Sequence, residues 1–108
     1  VEPANSAVIS GEMPGKHTIA GIGTGFIPKN FDRSLIDGGL KVTDEEAKDF
    51  ALRVTRDFGL FLGISSGANI AAAYRLAKEL GKGKKVLTIS PDGGEYYLSE
   101  APYKFEEK

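Results

Sequence analysis

The chain contains no cysteine, which excludes a disulfide framework and a thiolate metal site and fits a reducing compartment. Its one histidine, His17, stands in a Pro-Gly-Lys-His loop, and a single imidazole without nearby partners reads as a surface residue rather than a metal ligand. No uninterrupted apolar run approaches the roughly 18 residues that a transmembrane helix needs. Charge of one sign is lacking as well. With 14 Lys and Arg against 15 Asp and Glu, the formal charge is −1, and there is no basic stripe of the kind that nucleic-acid binding requires. An initiator Met and a signal peptide are also absent, and Val1-Glu2-Pro3 reads as the end of a strand whose beginning is missing, so a piece of a longer protein is expected. What is present is ordinary for one domain with one core: 108 residues, 41% apolar and 27% charged.

Along the chain, Asn5-Ser6-Ala7-Val8-Ile9-Ser10-Gly11 reads as a turn with one helical turn at most, followed by a loop from Glu12 to Thr18. Gly21-Ile22-Gly23-Thr24-Gly25-Phe26 then has glycine at every second position, which permits tight bending and close approach to another surface. It is not a dinucleotide fingerprint, because Phe26 takes the place of the last glycine and Pro28 and Asn30 follow where a helix should begin. Residues 31–37 read as irregular or a brief helical turn, and Asp37-Gly38-Gly39 turns into a short strand, Leu40-Lys41-Val42.

The clearest element comes next. Thr43-Asp44-Glu45-Glu46 forms a capping box in which Thr43 accepts from the Glu46 N–H and the Glu46 carboxylate reaches back, while the acidic first turn suits the positive helix end. Ala47, Phe50, Ala51, Val54 and Phe58 make one apolar stripe, and Gly59 is a natural C-cap, so a helix over 43–58 is expected with a purely structural role for its carboxylates.

Leu60-Phe61-Leu62-Gly63-Ile64 is a strand-like run that delivers the chain to the turn Gly63-Ile64-Ser65-Ser66-Gly67-Ala68. An alanine-rich stretch with helical spacing follows, which predicts a helix over 66–80 with Ser66 as its N-cap. Two readings are open at this turn. It is an ordinary capped helix, or it is a ligand site in which glycine admits close approach and the first-turn N–H groups supply donors and a partial positive charge. Gly81-Lys82-Gly83-Lys84-Lys85 ends the helix as a solvated hinge, and Val86-Leu87-Thr88-Ile89-Ser90 reads as a parallel strand covered on both faces. It ends in another glycine-rich turn, Pro91-Asp92-Gly93-Gly94, and the tail to Lys108 is polar and expected to be mobile. Strands are thus expected near Val1, Leu40, Leu60 and Val86, with the turns around Gly21, Ser65 and Asp92 converging on the sheet edge where α/β proteins bind ligands.

Four stretches together resemble the cysteine synthase family, O-acetylserine sulfhydrylase, of the tryptophan synthase β-subunit fold type. They are Gly21-Ile22-Gly23-Thr24-Gly25-Phe26-Ile27-Pro28-Lys29-Asn30, the helix start from Thr43 to Ala47, Gly63-Ile64-Ser65-Ser66-Gly67-Ala68, and Pro91-Asp92-Gly93-Gly94-Glu95-Tyr96-Tyr97-Leu98-Ser99. Their order holds in one register over residues 1 to about 99. The resemblance implies an α/β fold, part of the three-layer parallel-sheet domain of the fold type II pyridoxal phosphate enzymes and incomplete in this chain. Residues 1–100 would be the carboxyl-terminal part of that domain and 101–108 a polar tail. It also implies pyridoxal 5′-phosphate as cofactor, and L-cysteine made from O-acetyl-L-serine and sulfide by β-elimination and replacement.

By that resemblance Ser65 hydrogen-bonds the pyridine nitrogen of the cofactor, Gly21, Ile22 and Gly23 line its substrate side, and Pro91 and Asp92 form the strand end beyond the pyridine edge. The Schiff-base lysine, the asparagine on the cofactor's 3′-hydroxyl, the substrate carboxylate loop and the phosphate loop all lie upstream in the family. No position here matches them; Lys29 and Lys41 lack motif support, and no catalytic residue is assigned. The implied partners are the remaining amino-terminal part of the enzyme, a second copy in a homodimer, and serine acetyltransferase, which docks near the loop before the glycine cluster. His17 stands where plant members carry a histidine, but their flanking basic positions are Met13 and Thr18 here, so a plant-type charged docking patch lacks two of its members. A cystathionine β-synthase is the sister reading. The cytoplasm is the expected location, or a plastid or mitochondrion if the source is a plant. A chain of this kind alone would expose faces that otherwise pack, and marginal stability or association is expected of it.

Overall fold

Helix α1, Asp44–Phe58, is built from its own local signals. The Thr43 hydroxyl accepts from the Glu46 N–H at 3.1 Å, three acidic residues fill the first turn, and Gly59 closes the helix in the left-handed conformation at φ 68°. One half of the expected capping box goes elsewhere. The Glu46 carboxylate lies 3.5 Å from the Arg75 guanidinium, and Arg75 also donates to the Lys41 carbonyl, so the pair ties three elements together. The apolar stripe is buried at Ala47 and Ala51 and half-buried at Phe50 and Val54, whereas Phe58 at the helix end is exposed. The computed structural model describes residues 1–99, 102 and 103. Apart from Pro102 and Tyr103, the expected polar tail over 101–108 lies outside the described residues.

Helix α2, Ile64–Leu80, begins two residues before the expected start, with Gly63 as its N-cap. Ser66 is therefore not the cap. Its hydroxyl is taken by tertiary partners: it donates to the Asp92 carbonyl at 3.4 Å and accepts from the Ser90 hydroxyl at 3.0 Å. With that hydroxyl turned away from its own backbone, the first intrahelical bond forms earlier, from the Gly67 N–H to the Gly63 carbonyl at 3.1 Å.

The two helices pack against each other through small residues. A side chain on Gly67 would collide with the Ala47 carbonyl and come within 2.8 Å of the Ala51 Cβ, so only hydrogen is tolerated there. Ala68, Ala71 and Ala72 continue the buried face of α2. Beneath them lie Ile19, Val42 and Ile64, all fully buried, with Ile22, Leu40, Phe50 and Tyr97 packed around the margin.

Strands β1, Glu2–Pro3, and β2, Lys41–Val42, pair in parallel with Glu2 opposite Lys41 and Pro3 opposite Val42. The strands expected near Val1 and Leu40 are thus present and adjacent. Glu2, nearly buried, accepts from the Ile9 N–H at 2.6 Å and from the Ser10 N–H at 3.0 Å, which fastens the turn after β1. Short 3-10 turns at Ala4–Ser6 and Arg33–Leu35 match the two brief helical turns expected. Asp32 opens the second, and the Ser34 hydroxyl, followed by the Ser34 N–H, holds its carboxyl below the ordinary value.

The other two expected strands do not form in the sheet. The run from Leu60 makes a single antiparallel bridge, Leu62 with Gly93, and residues 86–90 are irregular. Leu87 is 96% exposed and Ile89 69%. A strand requires a second strand to pair with, and among the described residues none pairs with 86–90, whose bonds go to α2 instead: Asn69 donates to the Ile89 carbonyl at 2.8 Å. Among the described residues the fold is α/β, a two-stranded parallel sheet with α2 packed on it and α1 packed against α2.

Replacing Gly67 with alanine should lower stability by about 1–3 kcal/mol, because the methyl meets backbone rather than a yielding side chain. Urea unfolding reads this as a lower midpoint at unchanged slope, and an unchanged midpoint would contradict the packing described. Thr43→Ala should remove about 1 kcal/mol by the same measurement, through loss of the bond to the Glu46 N–H.

Candidate functional site

The first turn of α2 carries two buried serines with different surroundings. Ser66 is fully buried and hydrogen-bonded on both sides. Ser65 is 3% exposed, and its hydroxyl has no hydrogen-bond partner among the described residues. A hydroxyl without a partner at the start of a 17-residue helix, where N–H groups point outward and the dipole is positive, is equipped to meet a hydrogen-bonding ligand atom.

The segment after residues 86–90 is bound to this turn. The Asp92 carbonyl accepts from the Gly63 N–H at 3.2 Å as well as from Ser66, and the Gly94 N–H donates to the Phe61 carbonyl at 3.1 Å. The Asp92 carboxylate is asymmetric in its bonding. Oδ2 accepts from the Tyr97 hydroxyl at 2.6 Å, whereas Oδ1 is buried with no partner among the described residues. Gly63 is what lets the carboxylate in, since a side chain there would strike Asp92 Oδ1 and stand 2.8 Å from the Tyr97 ring. An unpaired buried carboxylate oxygen is costly, and in a working site it marks a place where a donor is expected. Pro91, next to it, is exposed.

The glycine cluster meets the same core through Ile22. Gly21 is exposed at φ 94°, Ile22 is half-buried against the core, and Gly23 is half-buried at φ 64°. Ile22 packs on the same cluster that contains Ile64 and Ala68. Of the three turns expected to converge, those at Ser65 and Asp92 are hydrogen-bonded to each other, and the one at Gly21 joins them through shared core packing.

The sequence reading missed three features of this region. One is the Ser66–Ser90 bond, another the Tyr97–Asp92 pair, and the third the role of His17, which is not a plain surface residue: Nδ1 accepts from the Ile19 N–H at 3.1 Å and Nε2 donates to the Gly23 carbonyl at 2.9 Å. Only the His17–Ile19 bond, two residues long, left a local signal that sequence could have carried. Among the described residues, no group of three His, Cys, Asp or Glu is arranged to hold a metal ion, and no helix is long and apolar enough to cross a membrane.

Comparison with known proteins bears on this site. The family description for pyridoxal-phosphate dependent enzymes matches residues 1–92. A cysteine synthase of Staphylococcus aureus (strain Mu50 / ATCC 700699) is 46% identical over 107 residues, covering 99% of this chain and 34% of the relative. The crystal structure of cysteine synthase from Entamoeba histolytica superposes with a TM-score of 0.92 at 37% identity, over 99% of this chain and 32% of that one. An O-acetylserine dependent cystathionine β-synthase from Helicobacter pylori gives a TM-score of 0.84 at 42% identity, over 95% of this chain and 33% of that one. The chain spans about a third of the length of these relatives, and its two strands and two helices correspond to part of a fold type II domain. By the match over residues 1–92 and the agreement in fold, this chain belongs to the pyridoxal-phosphate dependent enzyme family.

Proposed function

We infer that this chain is the carboxyl-terminal part, residues 1–100, of a cysteine synthase that makes L-cysteine from O-acetyl-L-serine and sulfide as a homodimer. The observation that carries the reading is Ser65, a residue 3% exposed at the α2 N-terminus whose hydroxyl has no partner among the described residues. The donor set fits pyridoxal phosphate. A hydroxyl at the start of α2 suits a pyridine nitrogen, which it can meet as donor. When bound, the cofactor supplies an electron sink that labilises bonds at the substrate's α-carbon.

The residues of this chain tune and shape that site. Ser65, donating to the ring nitrogen, leaves it neutral, whereas a carboxylate partner would stabilise the pyridinium. The positive end of α2 acts in the same direction by disfavouring a cation close to it. A weaker sink favours prompt loss of acetate over transamination. Ser66 and Ser90 fix the segment at Pro91 and Asp92 beyond the pyridine edge, and Gly21, Ile22 and Gly23 line the side where the amino-acid substrate enters. The residue that holds the cofactor covalently is supplied by the rest of the enzyme, so the 108-residue chain alone should not turn over O-acetylserine. The kinship with an O-acetylserine dependent cystathionine β-synthase favours one second reading, in which the acyl donor is the same and the sulfur nucleophile differs.

The test is a pair of substitutions in the full-length enzyme carrying this sequence. Ser65→Ala should lower kcat/KM by roughly three- to tenfold, the worth of one hydrogen bond. Ser65→Asp should lower it further and shift the visible absorption band of the bound cofactor while cofactor content stays constant. Wild-type rate and spectrum in the aspartate variant would remove Ser65 from the pyridine nitrogen. Addition of pyridoxal phosphate to the 108-residue chain, followed by removal of the excess, should leave no band that responds to O-acetylserine.

A further inference from the structure

Residues 17–23 form a loop with few restraints of its own. Ile19 is fully buried in the core, and the Thr18 N–H donates to the Asp44 carboxylate at 3.0 Å, which fixes the entry of the loop to the first turn of α1. Beyond Ile19 the only backbone bond within the loop among the described residues is from the Ile22 N–H to the Ile19 carbonyl at 3.5 Å, the outer limit of a hydrogen bond. Gly21 and Gly23 both sit at positive φ, and glycine imposes no conformational restraint on either.

The missing restraint is the His17 ring. Nδ1 accepts from the Ile19 N–H and Nε2 reaches the Gly23 carbonyl, so one rigid imidazole spans the loop from its anchored start to its far end. The two partners also settle the ring's protonation. A carbonyl only accepts, so Nε2 carries the hydrogen; a backbone N–H only donates, so Nδ1 must be bare. Both bonds exist together only in the neutral ring with the proton on Nε2, since a second proton on Nδ1 would face the Ile19 N–H donor to donor. Gly23 is fitted to the same contact: a side chain there would lie 2.7 Å from His17 Nε2 and would also collide with the Pro3 ring of β1.

Resting on the functional reading above, we propose that His17 is a positioning residue, a neutral strut that holds Gly21, Ile22 and Gly23 in place beside the amino-acid substrate. It acts through the loop and touches neither cofactor nor substrate. Removing the strut frees the substrate wall while Ser65, in the first turn of α2, continues to hold the ring nitrogen. Substrate binding should therefore suffer and the chemical step should not.

Three variants of the full-length enzyme carrying this sequence test the idea, with amide hydrogen exchange as a readout independent of turnover. His17→Ala loses both bonds, His17→Asn keeps an acceptor where Nδ1 stood, and His17→Gln keeps a donor where Nε2 stood. The alanine variant should raise KM for O-acetylserine roughly tenfold with kcat within about twofold of wild type and cofactor content unchanged, as expected for loss of one or two hydrogen bonds. The asparagine and glutamine variants should each recover part of the KM. The Ile19 amide should exchange faster in the alanine and glutamine variants and stay slow in the asparagine variant. An unchanged KM in His17→Ala, even with faster exchange, would overturn the positioning role, as would Ile19 exchange that is equal in all three variants. A fall in kcat and cofactor content at constant KM would overturn it too. A wild-type enzyme with no activity on O-acetylserine would remove the functional reading and this role together, whereas the exchange data would still report the strut itself.

Discussion

The structure depends on one close contact, that of Gly67 in the first turns of α2 against the Ala47 carbonyl and Ala51 of α1. Helices normally meet through interlocking side chains at 8–10 Å between axes, and here small residues allow backbone to approach backbone. The consequence is positional. α2 enters the core N-terminus first, which buries Ser65 and Ser66 and leaves Tyr74, Arg75 and Leu80 in its later turns exposed. Few large side chains are needed to close such a core: of its seven fully buried members among the described residues, four are alanine, and Ile19, Val42 and Ile64 supply the bulk.

Burial at the start of α2 creates a polar demand that the chain meets unevenly. Ser66 is satisfied by Ser90 and by the Asp92 carbonyl, contacts that also pin the segment following 86–90 to the helix. Ser65, its neighbour in sequence, is left with a free hydroxyl among the described residues, and Asp92 keeps one buried carboxylate oxygen unpaired beside an oxygen bonded to Tyr97. Adjacent serines thus divide the work: one builds the scaffold, and the other is held ready by it. Unmet hydrogen-bonding capacity of this kind destabilises a fold, and its retention at one place is physically reasonable where a ligand completes the bonding.

The glycine cluster is coupled to the same scaffold. Pro3 of β1 packs where a Gly23 side chain would stand, Ile19 is part of the core, and Asp44 joins the loop to the acidic first turn of α1. Asp44 therefore has two roles, as a favourable charge at the helix N-terminus and as acceptor for the Thr18 N–H. Its neighbour Glu46 is likewise drawn from local capping into a bridge with Arg75.

By itself the sequence determined what is local. Thr43 and Gly59 bound α1 because a cap needs only the residues next to it, and the short turns at Ala4–Ser6 and Arg33–Leu35 followed from composition over a few positions. The four ordered motifs also carried the family. Tertiary structure decided the rest, because the partners concerned lie far apart in the chain. The start of α2 moved to Ile64 once Ser66 found Ser90 and Asp92, more than twenty residues away. The pattern at 86–90 describes a covered strand, but a strand is a relation between two strands, and Leu87 is exposed where no second strand pairs with its segment among the described residues. His17 looked like a lone surface imidazole because its bond to the Gly23 carbonyl exists only after the loop has folded back on itself, a geometry that no residue type announces.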